Sequence, residues 1–380
     1  MISFRSTEEE QAFVKLADAF AREHLRVQAR LAETDERVPD SLARRADELG
    51  LCSLEVPESM GGLELPLISQ VQVLDALAFG DLAIIQGLPG WNDAASFFRV
   101  AFDLPNVRKY AAKGSESPGL TAAVIAADNP HLAWDCGLTV QPSRDGYVLD
   151  GVSRPIRLAK TAALVIVAAR DTTGEAVVFA LDRANTPWQA IDGDVRLGLL
   201  DAGVARIRFE SVEVGPLNVL SHGESAEIVI RQALARVRVL EAAKETGLMR
   251  ASLEYATSYT ATRKAFGQEI AHFQGVSFLV ADMAMQVQAA RHLTWQAALA
   301  LDAGKADGPE HAARALARVH RTVRFVTDNS VQLLGGSGYV QEYPVEKWMR
   351  DGQAQVMLYG RETDLMLDSG ASIVTAEGRP

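Results

Sequence analysis

The sequence predicts an α+β composite fold in which a helical N-terminal domain and a C-terminal helical bundle flank an antiparallel β domain. Apolar residues recur at helical spacing toward both ends of the chain and alternate with a period of two in its middle third, and Gly and Pro mark the breaks. The 380 residues suffice for two or three domains. The predicted domains are residues 1–117, 118–222 and 223–372, with a tail at 373–380.

The first segment is predicted to form several short helices. Thr7 and Glu10 have the spacing of a capping box, in which each side chain accepts a hydrogen bond from the backbone N–H of the other residue. Apolar residues follow at helical spacing at Phe13, Leu16, Ala17 and Phe20. Gly-Gly at 61–62, Pro66 and Pro-Gly at 89–90 interrupt this pattern, so turns are expected there.

The middle segment is predicted to form antiparallel strands. Ala205, Ile207 and Phe209 alternate with charged residues, which is typical of a strand with one buried face. Asp-Gly at 145–146 and Thr-Gly at 173–174 lie between apolar runs and favour hairpin turns.

Helical spacing returns in longer stretches from about residue 225 to about residue 369. Glycines that are typical of helix ends occur at Gly267, Gly304 and Gly335. A bundle of long helices is therefore predicted for the last third of the chain.

Composition excludes several function classes. Acidic residues exceed basic residues by 49 − 38 = 11, which gives a net charge of −11 and argues against a nucleic-acid-binding surface. Two cysteines are too few for a disulfide framework, so a reducing cytoplasm is the expected location. No leader pattern occurs at the N-terminus, and no apolar run reaches the ~20 residues of a membrane helix, so membrane insertion is not expected.

Common catalytic signatures, such as a phosphate-binding loop, a nucleophile elbow or a metal-binding cluster, are absent from the sequence. His24, His272 and His311 are interpreted as surface or packed residues. The pattern that stands out lies in the last third of the chain. It consists of R-K-A-F-G at 263–267, F-Q at 273–274, Q-L-L-G-G-S-G-Y at 332–339 and R-D at 350–351.

In this order and spacing, these motifs resemble the acyl-CoA dehydrogenase family of flavoproteins. The family's turn and strand motifs resemble V-P-E-S-M-G-G at 56–62 and F-E-S-V-E-V at 209–214, and the resemblance runs from about residue 5 to 370. It implies an N-terminal helical domain, a middle β-barrel and a C-terminal four-helix bundle. It also implies FAD bound across a subunit interface of a homo- or heterotetramer, an acyl-CoA thioester substrate and an electron-transfer flavoprotein as partner.

The resemblance assigns one half of the FAD site to residues lent to a neighbouring subunit. Arg offers a fixed cationic fork to a diphosphate, Gln offers a donor and an acceptor, and paired Gly lets the backbone approach closely. The alternative is that the Arg is a solvated helix end and the glycines are only a helix cap. The matching positions are Arg263, Phe266, Gln274, Gln332, Gly335 and Gly336.

The half-site that faces the flavin departs from the family pattern. The family's loop reads approximately T-E-P-x-A-G-S-D, and the chain has T-A-A-V-I-A-A-D at 121–128, which keeps only Thr121 and Asp128. A second motif, approximately W-I-T-N-G, aligns with P-I-R-L-A at 155–159, so the aromatic residue and the hydroxyl partner of the flavin are lost. Pro155 also lacks a backbone N–H. Thr121 is the one residue of the flavin-side half that is retained as a cofactor-binding candidate.

The catalytic base is also missing at the family positions. The reaction requires a carboxylate that removes the proton α to the thioester carbonyl while a hydride leaves the β carbon for the flavin. Alignment places Tyr359 at one family position for this Glu and Val237 at the other, and neither side chain is a suitable base. A relocated base is conceivable at Glu241, Glu245 or Glu362. The simpler interpretation is that Glu241 and Glu245 are solvated helix charges.

These observations favour a subunit that donates the adenine-side half of a shared FAD site to a catalytically intact, homologous partner. A second hypothesis is a divergent homo-oligomeric dehydrogenase in which Glu241 is the base. A third is a flavin-free scaffold that binds acyl-CoA and retains only the fold.

Overall fold

A computed structural model describes residues 7–104, 107, 120–126, 136–192 and 195–377. The predicted capping box is confirmed: Glu10 N donates to Thr7 Oγ1 at 3.2 Å, and Thr7 N donates to Glu10 Oε2 at 2.7 Å. A π-helical turn at Ala21–Leu25 joins the first two helices. The N-terminal helices are α1 (Glu8–Phe20), α2 (Arg26–Asp35), α3 (Asp40–Glu48), α4 (Leu67–Gly80), α5 (Leu82–Gly87) and α6 (Asn92–Val100).

The middle region contains strands that form two four-stranded sheets among the described residues. Their orders are β1-β4-β5-β8 and β2-β3-β7-β6. The strands are β1 (Ala122–Ala126), β2 (Leu138–Ser143), β3 (Gly146–Val152), β4 (Leu164–Arg170), β5 (Ala176–Asp182), β6 (Gln189–Ile191), β7 (Arg206–Val214) and β8 (Val219–His222). The hairpins predicted at residues 145–146 and 173–174 join β2 to β3 and β4 to β5.

The structure corrects two expectations for this region. β1 pairs with β4 in parallel, so the region is not purely antiparallel. The two sheets share no backbone pairing among the described strands, so they form a two-layer sandwich and not a closed barrel. Their shared core contains Val167 and Phe179 from one sheet and Leu149 and Ile207 from the other. The opposite face of the first sheet packs against α6 and the start of the next helix.

The C-terminal bundle is built on one helix of 40 residues, α7 (Gly223–Thr262). Its apolar faces pack against α4 and against the other long helices. Gly247 lies where α7 meets α4. A side chain does not fit there, because a Cβ at this position would clash with the backbone oxygen of Asp75. The remaining helices are α8 (Gln274–Asp302), α9 (Gly308–Leu334), α10 (Val345–Gln355) and α11 (Glu362–Glu377).

In the described part of the chain, no helix has the length and apolar character needed to cross a bilayer. The same residues contain no cluster of His, Cys, Asp and Glu that could hold a metal ion.

Candidate functional site

Tyr359 lies in the turn between α10 and α11, at one position where the resemblance expects the base. Tyr359 and Gly360 both have positive φ, +59° and +120°. The half-buried tyrosine donates its hydroxyl hydrogen bond to Oδ2 of Asp93 on α6. Burial raises the pKa of Tyr359, and the negative charge of Asp93 raises it further. The phenol is therefore held neutral, as a donor rather than a base.

The same Asp93 forms a buried ion pair with Arg157. Arg157 Nε donates to Oδ2 at 2.7 Å and Nη2 lies 2.6 Å from Oδ1, which is a two-pronged contact. Burial opposes the charge on Asp93, but Arg157 and Lys244 outweigh it and lower the pKa of Asp93 to about 2. Arg157 belongs to the segment 155–159, where the family pattern has a hydroxyl partner of the flavin. In this chain that position is occupied by a guanidinium bound to protein.

Glu241, the candidate for a relocated base, is completely buried on α7. Lys244 Nζ lies 2.6 Å from Oε1, and Gln355 Nε2 donates to Oε2 at 2.7 Å. Gln86 Nε2 donates to Oε2 as well, and Arg157 Nη2 lies 3.9 Å from Oε1. Protein donors thus occupy both carboxylate oxygens. The interpretation of Glu241 as a solvated helix charge is wrong, whereas its role as a base stays a prediction.

The interpretation of Glu245 as a solvated charge is also wrong, because Glu245 and His320 are both completely buried. His320 Nδ1 lies 3.0 Å from Glu245 Oε2, and His320 Nε2 lies 3.1 Å from the carbonyl oxygen of Gly360. Since a carbonyl oxygen only accepts, Nε2 is the donor in the contact with Gly360. Burial raises the pKa of Glu245 even though His320 opposes the shift.

The other two positions considered for a base are also placed by the structure. Val237 is completely buried on α7. Glu362, at the start of α11, has Oε1 2.6 Å from Nη2 of Arg321 in an ion pair at the surface.

A small cavity of about 60 Å³ lies between α4, α6 and α7, beside Asp93 and Lys244. This volume holds a few water molecules and not an acyl chain. The charged side chains of Glu55, Arg157 and Lys244 also line it. Its apolar lining includes Leu51, Leu54, Leu74, Leu77, Ile85, Leu88 and Leu240.

A larger cleft of about 850 Å³ opens on the other side of Arg157 and Tyr359, between the β region and α10. Pro155 and Ile156 form part of its wall, so the segment that departs from the flavin motif does line a cleft. Thr121, just before β1, is only 7% exposed, and its carbonyl oxygen accepts a hydrogen bond from Ala163 N at 2.8 Å. Asp128 lies outside the described residues.

The candidate adenine-side residues near α7 are exposed. Arg263 directly follows α7, and Gln274 is the first residue of α8. Between them, Phe266 lies in a tight hairpin with φ +52° and is 96% exposed. Its ring meets that of Phe273 edge to face at 6.2 Å.

The second group of adenine-side candidates lies at the end of α9. Gln332 is exposed in the last turn, and Gly335 follows the helix with φ +59°. A Cβ at Gly335 or Gly336 would meet no atom within 4 Å, so the backbone is open to an approaching group. The hydroxyl of Tyr259, in the last turn of α7, donates to Ser337 Oγ at 3.3 Å and joins the two groups. This arrangement fits a cofactor that approaches from outside the chain.

Comparison with known proteins agrees with this architecture. The family model for the acyl-CoA dehydrogenase C-terminal domain matches residues 228–369, and the model for the acyl-CoA dehydrogenase N-terminal domain matches residues 7–94. The chain belongs to the acyl-CoA dehydrogenase family. An acyl-CoA dehydrogenase of Bacillus subtilis is 27% identical over 93% of this chain and 95% of that protein. The mitochondrial short-chain specific acyl-CoA dehydrogenase of Sus scrofa is 25% identical over 88% and 82%.

A solved acyl-CoA dehydrogenase structure shows the same fold over nearly the whole chain. Butyryl-CoA dehydrogenase from Megasphaera elsdenii superposes with a TM-score of 0.86 at 25% identity, covering 98% of this chain and 100% of that one. The predicted family and three-part organisation of helices, sheets and helices are therefore confirmed.

Sequence reasoning missed most of the buried polar network around Tyr359. Charges on a helix are usually solvated, and nothing in the local pattern distinguishes a buried charge from an exposed one. One usable signal was the pair Glu241 and Lys244, whose spacing of three residues permits an ion pair within α7. The missed members are Gln86, Asp93, Arg157, Lys244, His320 and Gln355.

Proposed function

We propose that this chain is a subunit of an FAD-dependent acyl-CoA dehydrogenase and lends the adenine-side half of a shared FAD site to a catalytically intact, homologous partner. The observation that carries the proposal is the network around Tyr359, in which Asp93, Arg157 and Glu241 are bound to one another or to neighbouring side chains. The α,β-dehydrogenation of a CoA thioester would then take place in the partner, within a heterotetramer.

The buried network supports this division because a base must reach its substrate. A general base acts within hydrogen-bond distance of the proton that it removes. Glu241 has no exposed surface, and its oxygen atoms accept from Lys244, Gln355 and Gln86. The cavity of about 60 Å³ beside Asp93 and Lys244 has room for a few water molecules and not for an acyl chain. Use of Glu241 as a base would therefore require this part of the chain to repack.

The exposed residues at the ends of α7 and α9 support the other half of the proposal. Arg263 would pair with the diphosphate of FAD, and Gln274 and Gln332 would bind polar groups of the dinucleotide. Gly335 and Gly336 leave the backbone open to it. Bound FAD supplies the hydride acceptor of the reaction, and the residues of this chain position its adenylate end.

The proposal extends to the partners that the family suggests. The substrate would be an acyl-CoA thioester bound by the partner subunit, and an electron-transfer flavoprotein would reoxidise the complex. We place the complex in the cytoplasm. The divergent homo-oligomer and the flavin-free scaffold are the competing hypotheses.

The test is Arg263→Ala in this chain, co-expressed with its intact paralogue. Loss of a charge-assisted contact to the diphosphate is expected to weaken FAD retention about tenfold or more, with the complex still assembled. Arg44→Ala, at an exposed position on α3, is the matched control and should retain FAD. Full FAD retention by the Arg263→Ala complex would remove the main support for a shared site.

A further inference from the structure

A stripe of four arginines runs along the solvent side of α9. The spacings of three and four residues place these side chains on one face of the helix. No Asp or Glu occurs between residues 311 and 327, although the net charge of the chain is −11. The arginine stripe consists of Arg314, Arg318, Arg321 and Arg324.

The arginine stripe connects α9 to the helices on either side of it. Arg318 Nη2 donates to Oε1 of Gln286 on α8. Arg321 Nη2 donates to Sδ of Met366 on α11 at 3.5 Å. The outward sides of α8, α9 and α11 therefore form one surface with the stripe along its middle.

Few acidic side chains balance this charge. Glu362 Oε1 lies 2.6 Å from Arg321 Nη2, and Oε2 lies 3.7 Å from Arg324 Nη1. Among the described residues, Glu362 is the one acidic residue that forms ion pairs with the stripe. If the exposed Asp282, one turn before Gln286 on α8, is included, four positive charges still face two negative ones.

Exposed apolar side chains flank the stripe. Phe278 and Met285 lie two turns apart on one side of α8, and Met285 directly precedes Gln286. Both are more than half exposed, as is Met366 on α11. Arginine, methionine and aromatic residues are the types that are enriched at protein interfaces, so this composition indicates a docking surface.

A second copy of this chain fits the surface poorly. Identical subunits usually meet across a two-fold axis, which places the same patch on both sides of the contact. One arginine stripe would then face another, and like charges in an interface repel. A related subunit with carboxylates on its own side of the contact would attract the stripe instead.

We infer that the arginine stripe and its apolar flanks dock a homologous subunit that carries carboxylates on the surface facing α9, and that the stripe disfavours a second copy of this chain. The inference rests on the proposed heteromer and names the surface that selects the partner. None of its residues belongs to the adenine-side group.

Arg321→Glu combined with Arg324→Glu makes the surface acidic, so the altered chain serves as a homologous partner of known composition. Mixed with the parent chain in about 0.05 M salt, it should associate about tenfold or more tightly than either form does with itself, as measured by sedimentation velocity. In about 0.5 M salt the difference should disappear, because exposed charges are then screened.

The matched control is Arg44→Glu combined with Arg45→Glu, at exposed positions on α3, which changes the net charge equally. The parent chain should show no such gain with the control. Equal association with both double variants would overturn the proposal. Retention of the parent chain on immobilised heparin in about 0.15 M salt would also overturn it, because the stripe would then be assigned to a polyanion.

Co-expression with the intact paralogue separates this inference from the proposed FAD site. The Arg321→Glu and Arg324→Glu variant should weaken assembly about tenfold, whereas Arg263→Ala should lower only the FAD content. A complex that requires the stripe but holds no FAD would contradict the shared site alone. A complex that holds FAD and assembles equally well with the double variant would contradict the role of the stripe alone.

Arg321→Gln combined with Arg324→Gln guards against a folding defect, because it places no new carboxylate beside Glu362. This variant should weaken assembly with the paralogue about threefold or more, with an unchanged midpoint of thermal unfolding. Unaltered assembly would be inconsistent with docking through the stripe.

Discussion

Asp93 shows how a single buried carboxylate organises the site. It accepts hydrogen bonds from Arg157 and from Tyr359. The positive charges of Arg157 and Lys244 act on both Asp93 and Glu241. A buried ion pair is weak support for stability by itself, but removal of one partner leaves an uncompensated charge in a poorly polarisable interior. The cost of altering this network should therefore fall on folding as well as on function.

Arg157→Met should destabilise the chain by about 3–5 kcal/mol, because Asp93 and Glu241 would lose the guanidinium that compensates their charge. Urea denaturation of the two proteins measures the difference in the free energy of unfolding. Arg44→Met, on the surface of α3, is the matched control and should stay within about 0.5 kcal/mol. A value for Arg157→Met equal to that of the control would show that the ion pair contributes nothing.

Tyr359→Glu tests whether a carboxylate at the family position is sufficient for activity. The new carboxylate would face the negative charge of Asp93, in a chain whose flavin motif is altered at residues 155–159. The variant chain alone should therefore show no dehydrogenation of butyryl-CoA in a dye-reduction assay. Turnover by the variant would mean that this chain has a working flavin side, and Tyr359→Phe is the control without a carboxylate.

At the scale of elements, the helix ends were predictable and the strand pairing was not. The sequence placed a helix end at 263–267 and a helix start at 273–274, and α7 ends at Thr262 while α8 begins at Gln274. β1 and β4 are continuous apolar runs, buried on both faces, so no alternation indicated that they pair in parallel. The charges near Tyr359 were visible in the sequence, but their burial depends on packing between distant elements.

Gly247 makes the close approach of α7 and α4 possible. Gly247→Ala should destabilise the chain by about 1–3 kcal/mol, because the new Cβ would overlap the backbone oxygen of Asp75 and separate the helices. Gly275→Ala, in the first turn of α8 with no atom within 4 Å of the added Cβ, should be neutral or slightly stabilising. Thermal unfolding of the two variants provides the comparison, and equal midpoints would contradict this role of Gly247.

At the scale of the whole molecule, one buried cluster joins all three parts of the chain. Lys347 on α10 lies 2.8 Å from Asp81 Oδ2 and 2.8 Å from Asp351 Oδ2. Asp201 lies in the segment before β7, is 2% exposed, and has no hydrogen-bond partner for its carboxylate among the described residues. Burial, and then the charge of Asp81, raises the pKa of Asp201 to about 8, although Lys347 opposes the shift.

This shift predicts a pH dependence of stability. The folded chain binds a proton at Asp201 that the unfolded chain, with a pKa of ~3.9, releases, so stability falls as the pH rises from ~4 to about 8. Asp201→Asn removes this titration and should be more stable than the parent at pH 8, with a smaller difference at pH 5. Urea midpoints at both pH values measure it, and the exposed Asp145→Asn should show no such gain. A gain at pH 5 as large as that at pH 8 would be inconsistent with a protonated Asp201.

The two half-sites of this chain differ. The adenine-side residues Arg263 and Gly335 are exposed, whereas Tyr359 is hydrogen-bonded within a network of protein side chains. FAD content, measured by visible absorption for the chain purified alone and after co-expression with its paralogue, tests this division most directly. The account predicts no flavin on the lone chain and about one FAD for each pair of chains in the complex. A full complement of FAD on the lone chain would contradict it.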